Sequence, residues 1–334
     1  MNTISTFHTS RRHAGVIARA WQRLRHLLAP AGEPSADRAH HRAIHRMNSW
    51  WLRNHLAPQL ALYGLNNPQD IYLREARSMA SRLNRRLHIL FVGTDGAGIG
   101  RPLELHASGL AERVTVLVDD DVARRAFVAE AAAFGLADAL HVTALPDADA
   151  CSPMQDLVVV DNWRPGRTTP QALCAAMDQL MARDGMLVWA GDVGCREANW
   201  PAIEAQISGQ LDALGLVDPR PTRAAARRQE RHSAPADVVG ALATHFQFEL
   251  FYTYGGAVLP YVESTLASAL VTHQDPESLL LSIERYDRLC LQERMYPPTR
   301  MIATLRRAVP AGLCQHTPLS PAEFMGLVAE HAKG

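Results

Sequence analysis

The stretch LHILFVGTDGAGIGRPLELHASGLAERVTVLVDDD, from Leu87 to Asp121, constrains the fold more than any other part of the chain. An apolar run enters a glycine-rich turn, a helical pattern follows, and a second apolar run ends in three acids. That order is a nucleotide-binding βαβ unit. Gly93, Gly96, Gly98 and Gly100 let the backbone approach a ligand that side chains would block, and the helix behind them offers its free N–H groups. An acid at the tip of the second strand suits a ribose, whose two hydroxyls a carboxylate can accept. The ligand expected here contains a nucleoside.

From Leu87 to Asp192 strand and helix patterns alternate, which predicts a doubly wound α/β sheet with helices on both faces. Ligands on such sheets sit beyond the carboxyl ends of the strands. That rule gathers the turn from Gly93 to Gly98, Asp119, Asp147 and the stretch Asp161 to Trp163 around one crevice.

Three regions are expected. Residues 1–36 form a basic amphipathic extension: Arg11, Arg12, Arg19, Arg23 and Arg25 precede any acid, and Ile17, Trp21, Leu24 and Leu28 share one helical face. An accessory helix is the main reading, with a membrane-surface helix or a transit peptide beside it. Residues 37–86 form a helical cap with an apolar stripe of Trp50, Trp51, Leu56 and Leu60 and a further helix starting near Asn66. Residues 87–334 form the Rossmann-like domain and a C-terminal substrate-facing segment. Within it, Pro219 to Ala236 is an arginine- and proline-rich connector, HFQFELFYTY is a late strand, and Asp275 to Arg307 is helical.

At 334 residues and 47% hydrophobic content the chain has ample material for a core. A net charge of zero argues against nucleic acid held by bulk electrostatics. No apolar run reaches the length of a membrane span, so stable membrane insertion is not expected. Five cysteines without a CxxC pair point to a reducing cytoplasm, and fifteen histidines without HExxH give no reason to expect a metal.

With these motifs in order, the chain resembles a class I S-adenosylmethionine-dependent methyltransferase of the small-molecule type. Ile89 to Gly98 is similar to the family's first motif, and VTVLVDDD to its ribose-binding acid. LPDADA is similar to its adenine contact, DLVVVDNW to its fourth strand and active-site tip, and GMLVWAGD to its fifth strand. The resemblance implies S-adenosyl-L-methionine as cofactor, held by Tyr72, Gly93, Thr94, Asp95, Gly96, Gly98, Asp119, Asp120, Asp147, Ala148, Asp161, Asn162 and Trp163. Tyr72 or Arg74 would reach the methionine carboxylate. Two departures stand out: Phe91 occupies the place of an acid, and the glycine spacing is stretched to GTDGAG, which leaves Asp95 for the methionine amino group.

Methyl transfer from a sulfonium is an in-line displacement that mainly needs donor and acceptor held in line. A base is required only where the acceptor loses a proton. Catalytic candidates are Asp161, Tyr252, Tyr254 and His245, with Asp192 as a further acid. Tyr252 and Tyr254 are two apart, so on a strand they share a face, which is expected to border the acceptor pocket. The expected partners are a small-molecule acceptor, with its O, N, S or C atom open, and a second copy of the chain as a homodimer.

Three alternatives remain. An NAD(P)-dependent oxidoreductase of the short-chain type would need a lysine four residues after a tyrosine, but the only lysine is Lys333. Aminopropyl transfer of the nicotianamine-synthase kind would use the same fold and cofactor. A non-catalytic binding protein on this fold is the third.

Overall fold

The computed structural model describes residues 49–68, 70–93, 100–118, 121–133, 140–144, 154–161, 163, 168–193, 209, 213, 238–256, 275–308 and 314–331. The basic extension, the arginine-rich connector, Thr94 to Ile99, Asp119, Asp120, Asp147, Ala148 and Asn162 lie outside the described residues.

Eight strands form one sheet: β1 (Leu87–Val92), β2 (Ala111–Val118), β3 (Leu140–Ala144), β4 (Gln155–Asp161), β5 (Met181–Asp192), β6 (Gln247–Tyr254), β7 (Arg300–Arg306) and β8 (Gln315–Thr317). Their spatial order is β3-β2-β1-β4-β5-β7-β6-β8. Strands β1 to β5 pair in parallel, and β7 runs antiparallel to both β5 and β6. The central strands are buried on both faces, as parallel strands are: β4, QDLVVVD, is buried at every residue. Asp156 within it is tied by Arg85, at 2.7 and 2.8 Å, and by the His88 N–H.

The helices are α1 (Ala57–Leu60), α2 (Asp70–Leu83), α3 (Gly100–Ala107), α4 (Asp121–Ala133), α5 (Pro170–Leu180), α6 (Val238–His245), α7 (Pro276–Gln292) and α8 (Pro321–His331). Before α1 the chain makes a widened π turn, Leu52–Leu56, and after it a tight 3₁₀ turn, Ala61–Tyr63. The expected cap stripe is buried at Trp50, Trp51, Leu56 and Leu60. One sheet face packs Val160, Trp189, Phe251 and Met301 under α5, α6 and α8; the other packs Phe91, Val159, Tyr252 and Ile302 under the cap and α2.

One sequence expectation changes. The helix over Asp275 to Arg307 ends at Gln292, and Arg300–Arg306 is strand β7. Arg294 takes a left-handed φ of 56°, Pro297 and Pro298 bar any restart, and MIATL then supplies apolar, partly β-branched residues for a strand. The aromatic run of β6 does not alternate simply. A register shift between Phe248 and Leu250 puts Phe248 and Phe251, three apart, on one face, where their rings meet edge-on at 5.0 Å. Leu250, Tyr252 and Tyr254 then share the other face.

Candidate active site

The carboxyl ends of β1, β4, β5 and β6 and the start of the reversed β7 lie along one rim, because Asp192 pairs with Arg300 and Arg300 with Tyr254. Asp161 ends β4 at this rim, and Gly93 directly follows β1. Gly93 is required by its neighbour, since a Cβ there would overlap the Phe91 ring. Phe91, which replaces the expected acid, is 1% exposed and packs into the core beneath the cap.

Asp161, the last residue of β4, is 2% exposed. Burial pushes its carboxyl up to about 6, with the Arg101 guanidinium opposing the rise. Near pH 7 it is therefore a carboxylate that readily takes a proton, the property a general base needs. Around it stand Tyr72 from α2, Arg101 from the start of α3 and Tyr254 from β6. Burial holds the Tyr72 phenol neutral, helped by the charge of Asp161. Tyr254 is raised by burial as well, with Arg300 opposing and Asp192 and Asp161 adding. At the edge of this group Arg300 donates to Asp192 at 3.2 Å.

The Tyr72 hydroxyl is fully buried and has no hydrogen-bond partner among the described residues. A buried donor left so costs about 1–3 kcal/mol, a cost that a bound polar group would remove. Its place beside Asp161 and Arg101 suits a charged, polar ligand end. Arg74, by contrast, is spent on Glu75 and the Tyr63 carbonyl.

The remaining sequence candidates fall in different places. Tyr252 and Tyr254 share a face and stack at 5.7 Å with 18° between their rings. Tyr252 donates to Gln59 Oε1 at 2.7 Å, so its proton is committed to the cap, whereas Tyr254 stands among the charges of the rim. Tyr252→Phe is expected to cost about 1 kcal/mol of stability in urea denaturation, because Gln59 loses a buried donor, and Tyr254→Phe less. Equal costs would contradict this division. Trp163 is 1% exposed and meets Trp189 edge-on at 6.0 Å, within the core of the opposite face. His245 ends α6 ahead of β6, about 25 Å along the strand from the rim, with Asp178 at 3.7 Å. The structure does not bring it to the site.

Arg101, Arg300 and Gln59 were not singled out by the sequence. Arg101 carried a signal, being the first cation after the glycine turn. Arg300 reaches the rim only because β7 is reversed. Among the described residues no group of three or more His, Cys, Asp and Glu side chains is placed to hold a metal ion, and no helix is long and apolar enough to cross a membrane.

No family model and no curated protein matches the chain. Solved structures similar to it include a protein from Galdieria sulphuraria assigned as a sarcosine dimethylglycine methyltransferase, 12% identical over 71% of this chain and 86% of its own, TM-score 0.42. Another is geranyl diphosphate C-methyltransferase from Streptomyces coelicolor A3(2), at 9% over 70% and 78%, TM-score 0.37. A third is the O-methyltransferase of a Brevibacillus brevis trans-AT polyketide synthase multienzyme, at 9% over 74% and 73%, TM-score 0.40. Five parallel strands stand in the order 3-2-1-4-5, followed by a reversed β7 inserted before β6, where a dinucleotide-binding Rossmann sheet would continue in parallel to its sixth strand. The chain has the Rossmann-like fold of the class I S-adenosylmethionine-dependent methyltransferases.

Proposed function

We propose that the chain is an S-adenosylmethionine-dependent methyltransferase acting on a small metabolite in the cytoplasm. The observation that carries this reading is the buried Tyr72 hydroxyl, without a partner among the described residues, beside Asp161 and Arg101 at the carboxyl rim of a methyltransferase-type sheet. The cofactor supplies an activated methyl group on a cationic sulfur. Tyr72 and the glycine turn, with Thr94, Asp95, Gly96 and Gly98, would hold its amino-acid end; Asp119 or Asp120 would take the ribose, and Asp147, Ala148 and Asn162 the adenine side.

The acceptor belongs over β4, β5 and β6, where the charges of Asp192 and Asp161 both reach Tyr254. Asp161 takes up the proton of an acceptor that loses one on attack, an ability its raised pKa confers. Tyr254 orients the acceptor. Burial of Asp161 and Tyr254 excludes water from them, which strengthens their electrostatic contacts.

Calorimetric titration with S-adenosylhomocysteine tests the reading. Asp119→Ala should weaken binding at least tenfold, since a carboxylate that accepts two hydroxyls contributes about 1.5–3 kcal/mol. Parent-like affinity in both Asp119→Ala and Asp120→Ala would refute the ribose assignment, and binding of NADH instead would refute the cofactor. Once an acceptor is found, S-adenosylhomocysteine as the spent product supports methyl transfer; methylthioadenosine would mean aminopropyl transfer.

A further inference from the structure

A buried polar chain runs from α7 through the cap to β6. His55 Nδ1 lies 2.7 Å from Glu284 Oε1, both side chains being about nine-tenths buried. His55 Nε2 lies 3.3 Å from Gln59 Nε2, and Gln59 Oε1 accepts the Tyr252 hydroxyl at 2.7 Å. The direction of every bond follows from one constraint. Gln59 Nε2 also donates to the His55 carbonyl at 3.2 Å, which fixes the amide with its NH₂ toward His55 and its oxygen toward Tyr252. An NH₂ group only donates, so His55 Nε2 is an acceptor and the ring proton sits on Nδ1, donated to Glu284. Tyr252, facing an oxygen, gives its proton to the cap.

We propose that His55 is a positioning residue, which through Gln59 decides whether the Tyr252 phenol gives its proton to the cap or presents it beside Tyr254 at the rim. Protonation of His55 puts an N–H on Nε2, directly against the Gln59 NH₂. Two donors cannot pair, so the amide turns: it gives up its bond to the His55 carbonyl, its oxygen accepts the new charged N–H of the His55 ring, and its NH₂ goes to Tyr252. Tyr252 then becomes an acceptor toward the cap, and its proton is released toward the stacked Tyr254. No covalent bond changes, and the single proton taken up comes from solvent.

The groups that face His55 support a neutral ring near pH 7. Burial lowers its pKa, Glu284 opposes that, and Arg288 adds to the lowering. Arg288 also lies 3.7 Å from Glu284 Oε1 on α7, so Glu284 is shared between two cations once His55 is charged. From the cap itself the Trp51 ring lies 4.6 Å from the imidazole, and β6 contributes only the neutral Tyr252 phenol through Gln59. The switch therefore operates below the ordinary histidine pKa of 6.5.

The geometry supplies its own reporters. Trp51 fluorescence is sensitive to charge on the adjoining imidazole, and the stacked Tyr252–Tyr254 pair contributes to near-ultraviolet circular dichroism. Because the Asp161 carboxyl, raised to about 6, would itself titrate beside Tyr254, the full chain is titrated as the Asp161→Asn variant and the further variants are made in that background. Going downward from about pH 7.5 it should give a one-proton fluorescence step with a midpoint below 6.5, and a tyrosine dichroism step at the same midpoint. Trp51→Phe should lose the fluorescence step and keep the dichroism step. Gln59→Leu should do the reverse, keeping the histidine titration while the tyrosine signal stays flat; His55→Gln should lose both. A tyrosine signal that ignores the His55 step in the Asp161→Asn background, or that persists in Gln59→Leu, would overturn the proposal. So would the absence of any His55 titration in the folded protein.

The assignment of Tyr254 to a reaction crevice rests on the methyltransferase reading, and a separate measurement isolates that. S-adenosylhomocysteine affinity at pH 7.5, above the step, should be the same in the parent and in His55→Gln, because the chain ends on the acceptor side. Failure to bind it at any pH would sink the functional reading while leaving the spectroscopic coupling to stand or fall alone.

Discussion

Asp161→Asn is expected to make the protein more stable near pH 8, by about 3 kcal/mol, while impairing the site. The reason is linkage. The folded protein holds the Asp161 carboxyl at about 6 against an ordinary 3.8, because burial disfavours the charge. A raised folded pKa means that the native state binds the proton more tightly than the unfolded chain. Its favourable contribution is complete below 3.8 and is lost as pH rises through about 6. Each tenfold gain in proton affinity corresponds to about 1.4 kcal/mol, so a gain of roughly a hundredfold gives about 3 kcal/mol. Asparagine keeps the shape without the charge and avoids that cost. The gain over the parent should be largest at pH 8, fall through pH 6 and vanish near pH 4. Urea denaturation at those three values decides the matter: a gain independent of pH would show that the buried charge is not its source. For any acceptor that loses a proton, the same variant should lose most of its turnover.

The parallel half of the sheet was legible because its strands are near-continuous apolar runs separated by helical patterns, and the glycine turn announced the first crossover. What happens after β5 was not. Nothing local in MIATL distinguishes a strand that runs backward between β5 and β6 from the end of a helix; the pairing partners that decide it lie more than 40 residues away in β6 and more than 100 in β5. For the same reason Arg300 could not be placed beside Asp192 and Tyr254 in advance. Asp161 and Tyr254 were within reach of sequence reasoning, since strand tips gather at one rim. The division of labour between Tyr252 and Tyr254 was not, because it depends on Gln59, which is 193 residues from Tyr252. The β6 register shift hid that Phe248 and Phe251, three apart, share a face.

The largest loss of stability is expected at Asp287, about 3–5 kcal/mol for Asp287→Ala. This carboxylate on α7 is 1% exposed. It accepts the Gly256 N–H at 2.9 Å and the Tyr296 hydroxyl at 3.2 Å. Alanine leaves both donors buried without that acceptor, at about 1–3 kcal/mol each, and opens a small cavity. The chain leaving β6 depends on the same point. Gly255 takes a φ of 66°, and the Thr299 hydroxyl donates to the carbonyls of Gly255 and Gly256 at 3.0 and 3.1 Å. A Cβ at Gly256 would overlap Asp287 Oδ1, so Gly256→Ala should be costly from the other side of the contact. Asp287→Asn keeps one acceptor oxygen and should recover part of the loss. Chemical denaturation of the three variants tests the arrangement, and an unchanged midpoint for Asp287→Ala would refute it. Because Tyr254 is joined directly to Gly255, Asp287→Ala should also loosen the rim where Tyr254 and Arg300 meet. Asp287 acts on Gly256 and Tyr296, beyond the end of β6, so S-adenosylhomocysteine affinity should fall far less than stability does.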